Sequence, residues 1–157
     1  MRAIILILSL LFMGCSSKEI KRVDSQEIEI STVRWSSNDL QEISSKTVMA
    51  ILSSDINFSK GYGFGKIRND SHDHIDTQLL INKIQSALIK SKKVIIRQKN
   101  QDAIFSGKIS SIFKKNQTTK DMFFNFNFSL IDTKTQEIIW SDDVEIRKIF
   151  NKALFGW

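Results

Sequence analysis

Two apolar periods take turns in the first half of this chain, and a single period of two governs the second half. In "WSSNDLQEISSKTVMAILSS", Leu40, Ile43, Val48, Ile51 and Leu52 fall on one face of a helix. Ser36 stands where an N-cap is needed, and Asp39 puts an acid in the first turn. "GYGFGKIRND" predicts a glycine-bounded strand around Phe64 to Arg68. "HIDTQLLINKIQSALIKSKK" predicts a second amphipathic helix with Leu80, Ile84, Ala87 and Leu88 inward. Its C-terminal end gathers Lys90, Lys92 and Lys93, cations that the helix dipole favours there. Val94 to Arg97 ("VIIR") reads as a short buried strand. Strand, helix, strand at this spacing is a right-handed βαβ unit with parallel strands.

From there on the pattern is β. "AIFSGKISSIFKK" alternates from Ile104 to Phe113. In "MFFNFNFSLI", Phe124, Phe126, Phe128 and Leu130 share one face, while Asn125, Asn127 and Ser129 share the other, with Phe123 and Ile131 at its ends. Asp132 to Gln136 make a turn. The returning strand places Ile138, Trp140, Val144 and Ile146 on one face and Ser141, Asp143, Glu145 and Arg147 on the other. Asp142 interrupts the apolar face, which predicts a bulge at Asp142-Asp143 or an early exit from the core. The expected fold class is α/β: a single small domain whose mixed β-sheet holds a βαβ unit followed by an antiparallel meander, with two main helices.

The N-terminus belongs to neither period. "MRAIILILSLLFMGCSS" opens on Arg2, runs apolar from Ala3 to Met13 and ends at Gly14-Cys15. That run is shorter than the roughly 20 residues a spanning helix needs, and it fits a secretory signal. Cys15 is the chain's sole cysteine. Its position resembles the lipobox of bacterial lipoproteins, with Phe12 in place of the usual leucine. Lipid attachment at Cys15 follows from that resemblance, and acyl chains contributing ~0.8 kcal/mol per buried CH2 make such an anchor lasting. By the sorting rule for such lipoproteins, Ser16 after the cysteine implies the outer membrane, with the chain facing the periplasm. Residues 1–14 are thus the expected signal peptide, 15–34 the lipidated cysteine and a short polar tether, and 35–157 the globular domain. Ile28 and Ile30 alternate briefly, as a first edge strand would. A tether of this length extends at most about 66–72 Å and averages about 22–27 Å as a flexible coil.

The formal charge of +6 suits an acidic surface. The lysines are scattered among acids without an arginine stripe, which argues against nucleic acid as a partner. "NDSHDHID" (Asn69–Asp76) holds both histidines, but two histidines on a loop without a distant third ligand do not make a metal site. It reads instead as a polar turn, with Ser71 or Asp76 capping the next helix. "GYGFG" lacks the spacing of a phosphate cradle. No G-x-S-x-G occurs, and Asp142, Asp143 and Glu145 sit side by side on a hairpin rather than across a cleft. The residues point to no enzyme, no cofactor, no metal and no small-molecule substrate. The tail "IFNKALFGW" ends on Phe155-Gly156-Trp157, apolar residues expected to pack back onto the sheet or meet a partner.

Three stretches taken together resemble a family. They are "KIRNDSHDHIDTQLLINKIQSALIKSKKVIIR", "FSGKISSI" and "FFNFNFSLIDTKTQEIIWSDDVEIRK". They are similar to the LpoB family, outer-membrane lipoproteins that activate class A penicillin-binding proteins. The likeness runs from about Ser36 to Lys148 and is densest at Leu130, Asp132, Thr135, Glu137, Ile138, Trp140, Ser141, Glu145, Ile146, Arg147 and Lys148. It implies a periplasm-facing domain that docks on the regulatory domain of a bifunctional peptidoglycan synthase, raises its rate and catalyses nothing itself. Three departures stand out: a short tether without proline, only "QKNQDAIF" where a helical stretch is usual, and Gln136 at the place of a turn glycine. The competing reading is a non-catalytic envelope assembly or secretion lipoprotein with a TolB-N-like or CsgG-like domain. Candidate partner-binding residues are Arg68 and Asn69 at the strand-to-helix turn, where polar loops at sheet ends often bind, and Asp143, Glu145 and Arg147 on the wet face of the last strand.

Overall fold

A computed structural model describes residues 33–151. The signal segment, Cys15, the alternation at Ile28 and Ile30, and the tail from Lys152 to Trp157 lie outside the described residues. Within them the elements run α1 (Ser37–Ser53), β1 (Gly61–Asp70), α2 (Thr77–Ser91), β2 (Ile95–Ile96), β3 (Ala103–Lys115), β4 (Thr119–Asp132) and β5 (Ile138–Asn151). The five strands form one sheet in the order β2-β1-β3-β4-β5. β1 runs parallel to both β2 and β3, and β3, β4 and β5 form the antiparallel meander. A mixed sheet, a βαβ unit and two helices are as the patterning predicts.

Both helices start where their sequences offer a cap. Ser36 and Asp39 make a capping box: the Asp39 N–H donates to Ser36 Oγ (3.4 Å), and the Ser36 N–H donates to Asp39 Oδ2 (2.7 Å). At α2 it is Asp76 that caps, accepting from the Leu79 N–H at 2.8 Å. The helix closes on Lys92 in the left-handed conformation. The two helices cover the same face of the sheet. Leu40, Ile43 and Ile51 of α1 and Leu80, Ile84 and Leu88 of α2 bury against Phe105, Ile109, Phe124, Phe126, Phe128 and Leu130. Phe105 stacks on Phe128 with ring centroids 5.1 Å apart, and Trp140 meets both edge-on. Gly107 is required beneath these rings: a Cβ there would lie 2.7 Å from the Asn127 carbonyl and 2.9 Å from the Phe126 ring.

The structure corrects four expectations. β1 begins at Gly61, so its glycines lie inside the strand, and the strand bulges between Phe64 and Ile67. The "VIIR" strand shrinks to the two-residue edge Ile95–Ile96: Val94, just ahead of it, is buried, but Ile95 is exposed, and no strand among the described residues lies beyond it. No bulge occurs at Asp142-Asp143; Asp142 pairs in register with Phe128. The irregularity sits upstream, where Leu130 pairs with Trp140 but Ile131 pairs with Ile138, leaving Ile139 as the extra residue. That bulge flips Ile138 away from Trp140 and leaves it 64% exposed. Asp142 keeps the core-side parity but lies exposed, the early exit that was the alternative.

The missing helical stretch before β3 is replaced by a stitched loop. Asp102 Oδ2 accepts from the Gly61 N–H at 2.7 Å, and Thr133 Oγ1 donates to the carbonyls of Gln101 and Asp102 at 2.8 and 3.0 Å. In the β4–β5 turn, Asp132 Oδ1 accepts from the Lys134 and Thr135 N–H groups at 2.8 and 3.1 Å. Gln136 then takes φ 61°, a left-handed conformation in which a side chain crowds its own backbone. Gln136→Gly should therefore stabilise the domain by about 0.5–1 kcal/mol, read as a Tm about 2–4 °C higher. A lower Tm would mean that the Gln136 Nε2–Thr133 carbonyl bond (3.0 Å) outweighs the strain.

An open sheet face as candidate docking site

The helices occupy one face of the sheet, and the register defines what the other face presents. Arg68, Lys108, Asn127 and Asp143 lie in one row across β1, β3, β4 and β5. The next row is Asp70, Ser110, Asn125 and Glu145. Ile112, Phe123 and Arg147 follow, and then Lys114, Asp121 and Ile149. Arg68, Asp143, Glu145 and Arg147 thus share a single face, although Arg68 stands three strands, about 14 Å, from Asp143.

Asn69 does not belong with them. Its parity turns it toward the helix side, where its Nδ2 donates to the Asp73 carbonyl at 2.9 Å. Its Oδ1 accepts from the Ser71 N–H (3.0 Å) and the Ser71 hydroxyl (2.6 Å). Asn69 therefore folds the turn instead of offering it to a partner. Asp73, on the same turn, accepts from the Trp35 N–H at 2.6 Å. The histidine-bearing loop is a structural joint, and among the described residues no group of three or more His, Cys, Asp or Glu is placed to hold a metal ion.

On the open face the charges are held in place. Arg147 grips Asp121 with two parallel bonds, Nε to Oδ1 at 3.0 Å and Nη2 to Oδ2 at 2.8 Å. The hydrogen bonds from Arg147 hold the Asp121 carboxyl below the usual carboxylate range, and Asp121 in turn raises Arg147. Arg68 meets Asp70 at 2.8 Å, and Asn125 Nδ2 donates to Asp143 at 3.2 Å. Beside the Arg147 pair, Ile112 and Phe123 make a shallow apolar depression rimmed by Lys114 and Glu145. Ile112 is 56% exposed and Ile149 55%. The alternation in β3 does not tell which of its two apolar sets is covered. The pairing does: Phe105 and Ile109 go inward, and Ile104 and Ile112 outward.

The sequence also gives no sign of the link that fixes the last strand to the first helix. Lys148 points to the helix side of β5, where its Nζ donates to Asp39 Oδ2 and to the Arg34 carbonyl, both at 2.8 Å. Asp39 is buried, so this cation answers a charge that water does not reach well.

A family model described as "Peptidoglycan-synthase activator LpoB" matches residues 39–105 and 97–146. Among solved structures, the C-terminal domain of LpoB from Escherichia coli is similar at 13% identity, covering 69% of this chain and 98% of that one, with a TM-score of 0.52. The corresponding Salmonella enterica domain gives 12% identity, the same coverages and a TM-score of 0.51. At that identity the likeness is one of fold. No curated protein sequence matches significantly.

Lys148→Met should cost on the order of 2 kcal/mol by stranding the Asp39 carboxylate, seen as a shifted urea midpoint. An unchanged midpoint would mean that the Ser36 bonds alone satisfy Asp39. Asp132 carries a pH dependence of its own. The Thr135 and Lys134 N–H groups hold its carboxyl below the usual range. Its contribution is therefore present above about pH 4 and lost as the pH falls through the lower folded value. Asp132→Asn, which keeps an acceptor but no charge, should melt below the parent at neutral pH. The two Tm values should converge as the pH falls through the ordinary carboxylate range and below it.

Proposed function

The chain belongs to the LpoB family of peptidoglycan-synthase activators, regulators rather than enzymes, and from that premise we propose that it docks on a bifunctional class A penicillin-binding protein through its open sheet face. The observation that carries this reading is the continuous face, left uncovered among the described residues, on which Arg68, Asp143, Glu145 and Arg147 stand with Ile112 and Phe123 among them. Aromatic and arginine side chains in an apolar setting are the usual anchors of an interface, and the charges around them set register and encounter rate. Activation is then a shift of population. The domain binds the active arrangement of the synthase better than the inactive one, and a hundredfold preference supplies about 2.7 kcal/mol of coupling.

The proposal includes attachment through a lipid on Cys15 to the outer membrane, with the domain in the periplasm. A tether of about 20 residues averages only about 22–27 Å, so the domain stays near its membrane and the synthase spans most of the distance. Regulatory docking near the cell wall needs no cofactor, nucleic acid or small-molecule substrate.

Crosslinking in cells with a photoreactive residue at position 127, followed by purification, should recover a penicillin-binding protein. The double reversal Arg68→Glu/Arg147→Glu should weaken recovery about tenfold or more, equivalent to about 1.4 kcal/mol. Cys15→Ala should move the protein from the membrane to the soluble fraction. Recovery of secretion components without any penicillin-binding protein would sink the docking reading, and a membrane-bound Cys15→Ala chain would sink the anchor.

A further inference from the structure

The β3–β4 hairpin carries a second feature, on its other side. Where the sheet runs past the helices, a cleft of about 380 Å³ opens on the helix side. Val33, Phe113, Met122 and Phe150 line it with apolar surface, and Lys115 and Lys120 stand over it. Those two lysines are directly opposite each other across the hairpin. Like charges in that position repel and cost the sheet stability. Elsewhere Arg68, Arg97, Arg147 and Lys148 each meet a carboxylate. Lys115 and Lys120 meet none among the described residues; Lys120 only stands 5.8 Å above the Phe150 ring. The acid on this wall, Asp73, is already engaged by the Trp35 N–H.

We propose that this cleft receives an acidic peptide segment of the synthase. Its carboxylates lie between Lys115 and Lys120, and a neighbouring large apolar side chain enters over Phe113, Met122 and Phe150. The charge pattern supplies the anion, since a negative group there turns a repulsive pair into two attractive ones. The shape selects a peptide. A cleft at the low end of ligand-pocket volumes admits side chains, whereas a membrane surface would need a broad flat basic face. The inference rests on the docking reading and adds to it a second point of contact on the opposite side of the same hairpin.

The probe is a fluorescein-labelled peptide of sequence Asp-Phe-Glu-Asp-Leu-Glu, titrated against the full chain in detergent, with its Asn/Gln counterpart and phosphatidylglycerol vesicles as controls. The acidic peptide should bind, more weakly as salt rises, and the neutral one should not. Lys115→Gln/Lys120→Gln should weaken binding at least tenfold, while Lys134→Glu, in the turn at the far end of β4, should leave it unchanged. Lys115→Gln alone should melt no lower than the parent, because it removes only repulsion. A double variant that binds the peptide normally overturns the proposal, and so do vesicles that bind as well as the peptide. Binding that emerges only after residues 152–157 are removed makes the chain's own tail the occupant and overturns it too. A double variant that loses the peptide but still recovers the synthase from cells overturns the cleft as a docking point and leaves the docking reading intact. Peptide binding that depends on both lysines, in a chain that recovers no synthase, supports the cleft chemistry and fails the docking reading alone.

Discussion

The helices are too short for the sheet they cover, and most of the molecule's character follows from that mismatch. Seventeen helical residues in α1 span about 25 Å and fifteen in α2 about 22 Å, whereas strands of 13 and 14 residues run about 43–46 Å. On the helix side burial therefore fades along β3: Phe105 and Ile109 are fully covered, whereas Phe113 and Lys115 are exposed. Beyond the helices, the cover among the described residues comes from Val33, ahead of α1, and from the strands' own side chains. Val33 and Met122 remain buried there, but Phe113 is not. At this overhang Ile112, Phe113 and Ile149 stand exposed, apolar side chains that folding of the domain alone gives little reason to keep.

The second consequence concerns how the short cover stays in place. α1 meets the far edge of the sheet at β5, and the contact is made through charge as well as through apolar packing. Asp39 closes its own helix by capping Ser36 and then takes the Lys148 ammonium. One carboxylate thus satisfies a helix end and ties it to an edge strand. Trp35, just ahead of the cap, meets Phe124 edge-on with centroids 5.3 Å apart and donates its N–H to Asp73. The segment leading into α1 is accordingly held at three points, by the sheet, by the β1–α2 turn and by β5.

Local chemistry was legible in the sequence, and long-range pairing was not. Ser36 with Asp39, Asp76 ahead of α2 and the Phe face of β4 each declare themselves within a few residues, because caps and pleats are local rules. Ile138 went to the wrong face because a bulge at Ile139 depends on how β5 meets β4, which no single strand encodes. "VIIR" reads as buried because it is apolar; only the strand order shows it to be an edge. Asn69 looked like a binding residue from its place in a polar turn, yet its amide is used up folding that turn. Ile112 and Phe123 were visible as apolar, but nothing within either strand says that the covered set is the other one. Lys115 and Lys120 read as ordinary hairpin charges until the register puts them face to face.

The tie between Asp39 and Lys148 also sets the order in which the molecule can be finished. The two residues are 109 positions apart, and the chain emerges from a ribosome or through a membrane from its N-terminal end. A nascent chain that has made α1, the βαβ unit and even β4 still lacks the cation that answers Asp39. The first helix can be capped early but cannot be fastened until the last strand arrives. A growing chain thus remains unsealed until β5 has been made, however early its first helix forms.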